Sequence, residues 1–184
     1  CARRTPSVRS IVVVTSDKCY TNHEWHWAYR EKSQLGGRDP YAASKSCAEI
    51  VVHSYRESFF NPAESGKPTA LLASVRAGNV IGGGDWAPHR LVPDIISALR
   101  EDRPLVLRHP KATAPWQHVL DPLRGCVQRA YSLYSGARQS AGPWNFGPVD
   151  GDAKPVSWIA DTLARSWGDH AAWVHDAAPH VREA

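Results

Sequence analysis

Tyr41 and Lys45 stand four residues apart, which puts a phenol and an ammonium one turn apart on a single face if the segment is helical. A lysine cation beside a phenol favours the phenolate, so a tyrosine placed this way can take a proton as a base. The same spacing also occurs on ordinary solvated helix faces. A second polar group, Thr15-Ser16-Asp17-Lys18, follows directly on the β-branched run Ile11-Val12-Val13-Val14. It crowds hydroxyl, carboxyl and amine at a strand's carboxyl end, where open α/β sheets bind their ligands; its plain alternative is a polar turn that caps the strand. Asn79 with Gly82-Gly83-Gly84 ends another apolar run. Glycines there let backbone approach a ligand, but no Lys-Ser/Thr follows them, so a nucleoside-triphosphate loop is not supported.

Metal chemistry has little footing. His23-Glu24-Trp25-His26 resembles a zinc-protease signature, yet such a site needs two histidines at i and i+4 on one helix, and here they are three apart in a loop. Cys1, Cys19, Cys47 and Cys126 form no C-x-x-C pair. Neither a zinc site nor a disulfide framework is expected, and reduced cytoplasmic thiols are the default.

The elements that must position these groups follow from local patterns. Ser10 to Val14 is apolar on both faces, which predicts a buried parallel strand. A loop rich in aromatics and charge runs through Trp25, Trp27, Tyr29, Arg30 and Glu31 to Gly36-Gly37. Asp39-Pro40 then reads as the N-cap and first residue of a helix. Its apolar Ala48, Val51, Val52, Tyr55 and Phe59 recur at helical spacing as far as Phe60. After the turn-rich stretch from Asn61 to Pro68, Ala70 to Val75 reads as a second strand. Pro93 to Arg100 is expected to be helical, with Leu105 to Leu107 and Trp116 to Val119 as short strands. Asp121-Pro122 starts a helix that Gly136 closes beyond Tyr134. Trp144 to Phe146 is a last strand, and Ser157 to Trp167 a helix ended by Gly168. Strands alternating with helices make the fold class α/β with a mainly parallel sheet.

The chain has 184 residues, enough for one domain, or one domain with a smaller lobe. With 42% apolar and 22% charged residues it has the balance of a folded protein rather than a disordered one. No apolar run approaches the roughly 20 residues that a bilayer crossing needs, so no membrane role is expected. The opening Cys1-Ala2-Arg3-Arg4-Thr5 is not followed by the apolar stretch of a secretory signal, and with no initiating Met it reads as an internal piece of a longer chain. The net charge of +4 is scattered, with Arg3-Arg4 the only tight basic pair, so no nucleic-acid partner is expected.

A β-strand ending in Ser16-Asp17, a proline-started helix with Tyr41 and Lys45, and a strand ending in Asn79 together resemble the extended short-chain dehydrogenase/reductase family. The most specific strings are Ser16-Asp17-Lys18-Cys19-Tyr20 and Gly78-Asn79-Val80-Ile81-Gly82-Gly83-Gly84-Asp85-Trp86. Glu24-Trp25, Asp39-Pro40-Tyr41, Ser44-Lys45 and Trp116-Gln117-His118-Val119-Leu120 support them, so the similarity runs over nearly the whole chain. The resemblance implies a Rossmann-like doubly wound parallel sheet, of which residues 1–78 and 117–147 would form the C-terminal half. Residues 79–116 and 148–184 would build a small substrate-binding lobe.

The implied activity is dehydration of a nucleotide-activated hexose, CDP-glucose foremost, with NAD as cofactor, feeding deoxysugar synthesis for lipopolysaccharide. On that resemblance Tyr41 takes the 4-hydroxyl proton and, with Lys45, contacts NAD, while Ser16 hydrogen-bonds the 4-oxygen. Asp17 would protonate the departing 6-hydroxyl. Lys18, where related dehydratases have a glutamate, would take the C5 proton, which requires a neutral amine. Asn79, Leu91, Trp116 and His118 would contact the sugar nucleotide, and a homodimer would form through the Tyr41 helix. A sugar-nucleotide epimerase or 4-reductase on the same scaffold, or a catalytically silent binder, are the alternatives. Asp17 and Lys18 discriminate, because those alternatives need no elimination acid and base.

The sequence also departs from the family. The glycine-rich turn that holds the dinucleotide pyrophosphate is not in this chain, and the family continues past Pro179-His180; both lead to the expectation of a fragment. Ala114 stands where arginine is usual, two residues before Trp116. Losing a charge-assisted contact of that kind costs about 1.5–3 kcal/mol unless Arg90, Arg108 or Lys111 substitutes. Ala28 replaces a usual glycine.

Overall fold

The computed structural model describes residues 1–25, 27–61, 70–149, 152–168 and 173–176. His26, most of the Asn61–Pro68 turn and the Pro179-His180 segment lie outside the described residues. In chain order the elements are β1 (Ser10–Val14), α1 (Pro40–Phe59), β2 (Leu71–Ala77), β3 (Val80–Ile81), α2 (Leu91–Arg100), β4 (Leu105–Leu107), β5 (Thr113–Ala114), β6 (Gln117–His118), α3 (Leu120–Tyr134), β7 (Pro143–Phe146), β8 (Lys154–Pro155), α4 (Val156–Trp167) and β9 (Trp173–His175). They divide between two compact units, Cys1–Gly78 with Leu120–Gly147, and Asn79–Val119 with the described residues from Pro148 onward.

The first unit is built on a parallel sheet in the order β1-β2-β7, with Val13 opposite Ser74 and Arg76 opposite Asn145. Successive side chains of a strand point to opposite faces, and the two apolar clusters follow that alternation. Ile11, Val13 and Leu72 pack with Val52 and Phe60 of the α1 side. Val12, Leu71 and Ala73 pack with Leu133 of α3. The sheet is therefore sandwiched between α1 and α3. Among the described residues β1 pairs only with β2, and its side chains are half-buried rather than buried as its composition suggests, with Val14 62% exposed.

α1 begins where the sequence places it. Asp39 Oδ1 accepts from the Ala42 N–H at 2.9 Å, and Pro40 occupies the first turn. Gly37 is required by contact: a Cβ there would lie 2.3 Å from the Ala42 Cβ, so only glycine lets the incoming loop lie against the helix start. Asp39→Ala is expected to lower stability by about 1 kcal/mol, within the 0.5–2 range of lost caps, read as a shifted midpoint in chemical unfolding.

The buried stripe of α1 departs from the apolar pattern. Ala42, Ser46, Glu49 and Val52 face inward, while Val51 and Tyr55 are exposed. Polar residues take the inner positions because partners await them on β2, as described below. The further differences are small. α3 starts at Leu120, so Asp121 sits inside the helix rather than capping it. β3, β5, β8 and β9 are additional short strands, with β5 antiparallel to β8.

The second unit packs α2 and α4 through Ile95, Ala98, Ile159 and Ala160 onto Leu105 and Leu107 of β4. β4 pairs in parallel with β9, and β3 with β6. Gly168, at φ +143°, ends α4. Among the described residues no helix is long and apolar enough to cross a membrane, and no three metal-ligating side chains cluster.

Candidate active site

At the carboxyl end of β1 the chain leaves the sheet and makes a single 3-10 turn, Asp17–Cys19. Ser16 caps it, accepting from the Lys18 N–H at 3.2 Å, while its own hydroxyl donates to Asp17 Oδ1 at 3.1 Å. Burial pushes the Asp17 carboxyl above its ordinary value, and the Ser16 hydroxyl, the Lys18 N–H and the Lys18 charge only partly offset that rise. A carboxyl held towards its protonated form is suited to giving a proton.

This turn packs against α1. Ser46 Oγ lies 2.7 Å from the Cys19 carbonyl oxygen and 2.9 Å from that of Ala42, so its proton links the helix to the turn. The loop beyond returns to the same place: the Gly36 N–H donates to the Cys19 carbonyl at 2.9 Å, and Tyr20 bridges Leu35. One turn upstream of Ser46, Tyr41 presents its ring to solvent at 53% exposure, with Lys45 Nζ 5.6 Å from the ring centroid. The first unit thus brings Ser16, Asp17 and Lys18 to the N-terminal half of the helix that carries Tyr41 and Lys45.

The four residues assigned to substrate binding lie in the second unit. The Asn79 carbonyl accepts from the Gln117 N–H at 3.0 Å, aligning β3 with β6, and His118 is exposed on β6. Leu91 and Trp116 pack against that unit's apolar core, and Trp116 Nε1 donates to the Lys154 carbonyl at 2.9 Å. Gly82 is needed internally, since a Cβ there would meet Val119 at 2.7 Å.

Behind the turn lies a buried polar network with no role assigned from the sequence. Glu49 and Arg76, with side chains 2% and 4% exposed, form an ion pair at 2.6 Å. Glu49 also accepts from Thr15 and, at 2.8 Å, from Ser74. Arg76 Nη1 donates to the Tyr20 hydroxyl at 2.7 Å and to the Glu31 carbonyl at 3.0 Å. Tyr20 in turn donates to Asn145 Oδ1 at 2.7 Å, and the Asn145 amide donates to the Tyr29 carbonyl at 2.9 Å. Burial pushes the Glu49 carboxyl up, but the hydrogen bonds from Arg76, Thr15 and Ser74, with the Arg76 charge, outweigh it and hold the group below the usual carboxylate value. Burial raises the Cys19 thiol to about 11, so it stays protonated and unreactive at neutral pH. One signal of the network was present in the sequence: Glu49 is in helical phase with Ala42, Ser46 and Val52.

Comparison with known proteins adds to this geometry. The NAD dependent epimerase/dehydratase family matches residues 1–138. The CDP-glucose 4,6-dehydratase of Salmonella typhimurium is 50% identical over 183 residues, covering 99% of this chain and 51% of that protein. The chain thus spans about half the length of this curated relative. A solved UDP-glucuronic acid 4-epimerase from Bacillus cereus, in complex with UDP-glucuronic acid and NAD, superposes with a TM-score of 0.76 at 17% identity, over 95% of this chain and 50% of its own. The dTDP-glucose 4,6-dehydratase of Bacillus anthracis, in complex with NAD, gives 0.70 at 20% identity, over 90% of this chain and 49% of its own. The likeness to these two identifies the fold as Rossmann-type α/β.

Proposed function

We propose, from the premise that the chain belongs to the NAD dependent epimerase/dehydratase family, that the whole protein dehydrates CDP-glucose to its 4-keto-6-deoxy derivative. The observation that carries this reading is the Ser16-Asp17-Lys18 turn set against the Tyr41 helix, in a chain half identical to a CDP-glucose 4,6-dehydratase. An epimerase has no use for an elimination acid and base, whereas this edge carries both.

Tyr41 and Lys45 are the residues of this chain that would hold NAD. Their donor set, a hydroxyl beside an ammonium with three N–H groups, fits ribose hydroxyls, and the phenol is open to solvent. When bound, NAD supplies the acceptor for hydride from sugar C4 and its donor to C6. Tyr41 takes the proton of the 4-hydroxyl, with the Lys45 charge stabilising the phenolate that does so. Ser16 Oγ hydrogen-bonds the 4-oxygen. With C4 a ketone, the C5 hydrogen is acidic; Lys18, as the neutral amine, removes it. Asp17 gives its proton to the 6-hydroxyl, which leaves as water. Lys18 then returns a proton to C5. Burial of the Asp17 carboxyl supports its part as the acid.

Asn79, Leu91, Trp116 and His118 are assigned to the sugar nucleotide. The product feeds deoxysugar synthesis for surface polysaccharide in the cytoplasm. A homodimer through α1 is supported by Ile50 and Val51, which stand 56% and 54% exposed on that helix.

Incubating the full-length protein with CDP-glucose and NAD is expected to yield a 4-keto-6-deoxyhexose, read by its alkaline absorbance; a C4 epimer in its place would overturn the reading. Asp17→Asn is expected to lower turnover by about 10²-fold, while a 4-keto hexose that retains its 6-hydroxyl persists in acid-quenched samples and is seen by mass. Parental turnover in that variant would remove Asp17 from the chemistry.

A further inference from the structure

Glu49 follows Tyr41 by eight residues and Lys45 by four, so its side chain leaves α1 roughly 80° round the axis from the phenol. That offset leaves Tyr41 facing solvent and aims Glu49 at the sheet. There one carboxylate oxygen accepts from Thr15, the residue before Ser16, and the other from Ser74 and Arg76 of β2. Arg76 continues the chain to Tyr20, just beyond the turn. The Ser16-Asp17-Lys18 segment is therefore tied to α1 at both ends: through Thr15 and Glu49 on one side, and through Tyr20, Arg76 and Glu49 on the other.

Apolar packing is non-directional and tolerates small slips of a helix over a sheet. Charge-assisted hydrogen bonds are short and directional, and they hold a register. A buried ion pair is also a poor device for stability alone, since a well-packed apolar pair of similar volume serves as well or better.

We infer that Glu49 is a positioning residue, acting through Thr15 and Arg76 to fix α1 against the turn so that Tyr41, Asp17 and Lys18 meet one sugar ring. The inference rests on the dehydratase reading and deepens it. Misplacing catalytic groups by about 1 Å costs up to 10²-fold in rate, so the effect is expected in kcat rather than in KM.

The test uses the full-length, NAD-loaded protein and the double variant Glu49→Leu/Arg76→Met, which replaces the pair by apolar side chains. Its thermal midpoint is expected near the parent's, with kcat per NAD-loaded site down about tenfold or more and KM for CDP-glucose nearly unchanged. A double variant with both parental midpoint and parental kcat would show the pair to be structural only and overturn the inference. Thr15→Val is the second arm, and decides if the double variant does not fold: it cuts one tie and leaves the ion pair, so the fold is kept at a somewhat lower midpoint and kcat, measured well below that midpoint, is expected to fall severalfold with KM nearly unchanged; parental kcat there counts against the inference. Tyr41→Phe, assayed alongside, separates the two levels. Full activity in Tyr41→Phe removes the phenol as the base, and with it the constellation this inference positions; a parent without dehydratase activity removes the dehydratase reading; an inactive Tyr41→Phe beside a fully active double variant removes the positioning role alone.

Discussion

Tyr41→Phe in the full-length protein is expected to lower kcat with CDP-glucose by about 10² to 10⁴-fold, the range that a positioned general base contributes. The change deletes one oxygen from a ring that is already 53% exposed. Surface substitutions of that kind shift stability by no more than about 0.5 kcal/mol, so the unfolding midpoint should stay where it is. KM is expected to change little, because the proton is transferred only as the reaction proceeds and the ground-state contacts remain. Steady-state kinetics and a thermal melt on the same preparation check both halves. A variant that keeps parental kcat would show that the phenol is not the base, and that its neighbourhood with Lys45 is only a solvated helix face.

The largest expected effect on stability comes from Arg76→Met. Removing the guanidinium leaves the Glu49 carboxylate, 2% exposed, without its ionic partner, and takes the donor from Tyr20. Breaking a buried pair in this way costs about 3–5 kcal/mol, against a total of roughly 5–15 kcal/mol for an ordinary domain. The measurement is urea unfolding followed by near-ultraviolet circular dichroism. A loss below about 1 kcal/mol would place the pair among exposed surface bridges and contradict its burial. The pH dependence has a definite sign. Because folding holds the Glu49 carboxyl below its usual value, its contribution is present above the unfolded carboxylate value of about 4.3. It is lost as pH falls through the lower folded value. The parent should therefore lose this part of its stability only in acid, whereas Arg76→Met, with the partner gone, should already be weakened at neutral pH.

Much of this molecule is written in short-range signals. The run Ser10 to Val14 is a strand because β-branched residues suit the extended backbone. Asp39-Pro40 starts α1 because the carboxylate satisfies an N–H that the first turn leaves unpaired, and proline has none to satisfy. Gly136, at φ +84°, follows α3 because it takes a backbone conformation that side chains resist. The i, i+4 spacing alone sets Tyr41 and Lys45 on one face once that helix exists.

Other features had no local cause. Val51 and Tyr55, though in the apolar period of α1, are exposed, while Glu49 turns inward to ion-pair and hydrogen-bond partners in Arg76, 27 residues away, and Ser74, 25 away. A helical period says which residues share a face, not which face the sheet will accept. Leu91 and Trp116 are half-buried against the apolar core of their own unit, a contact that the strings around them did not announce.

By itself the sequence determined the order of the four helices and of the strands β1, β2, β4, β6 and β7, the chemical groups at the carboxyl end of β1, and the phenol and amine on α1, since each depends on backbone preferences over a few residues. Only the tertiary structure decided which side of α1 is buried, how the Ser16-Asp17-Lys18 turn is tied to it, and that a charged pair lies under both. Those outcomes depend on desolvation and directional hydrogen bonds between segments far apart in the chain, and such energies exist only once the segments have met.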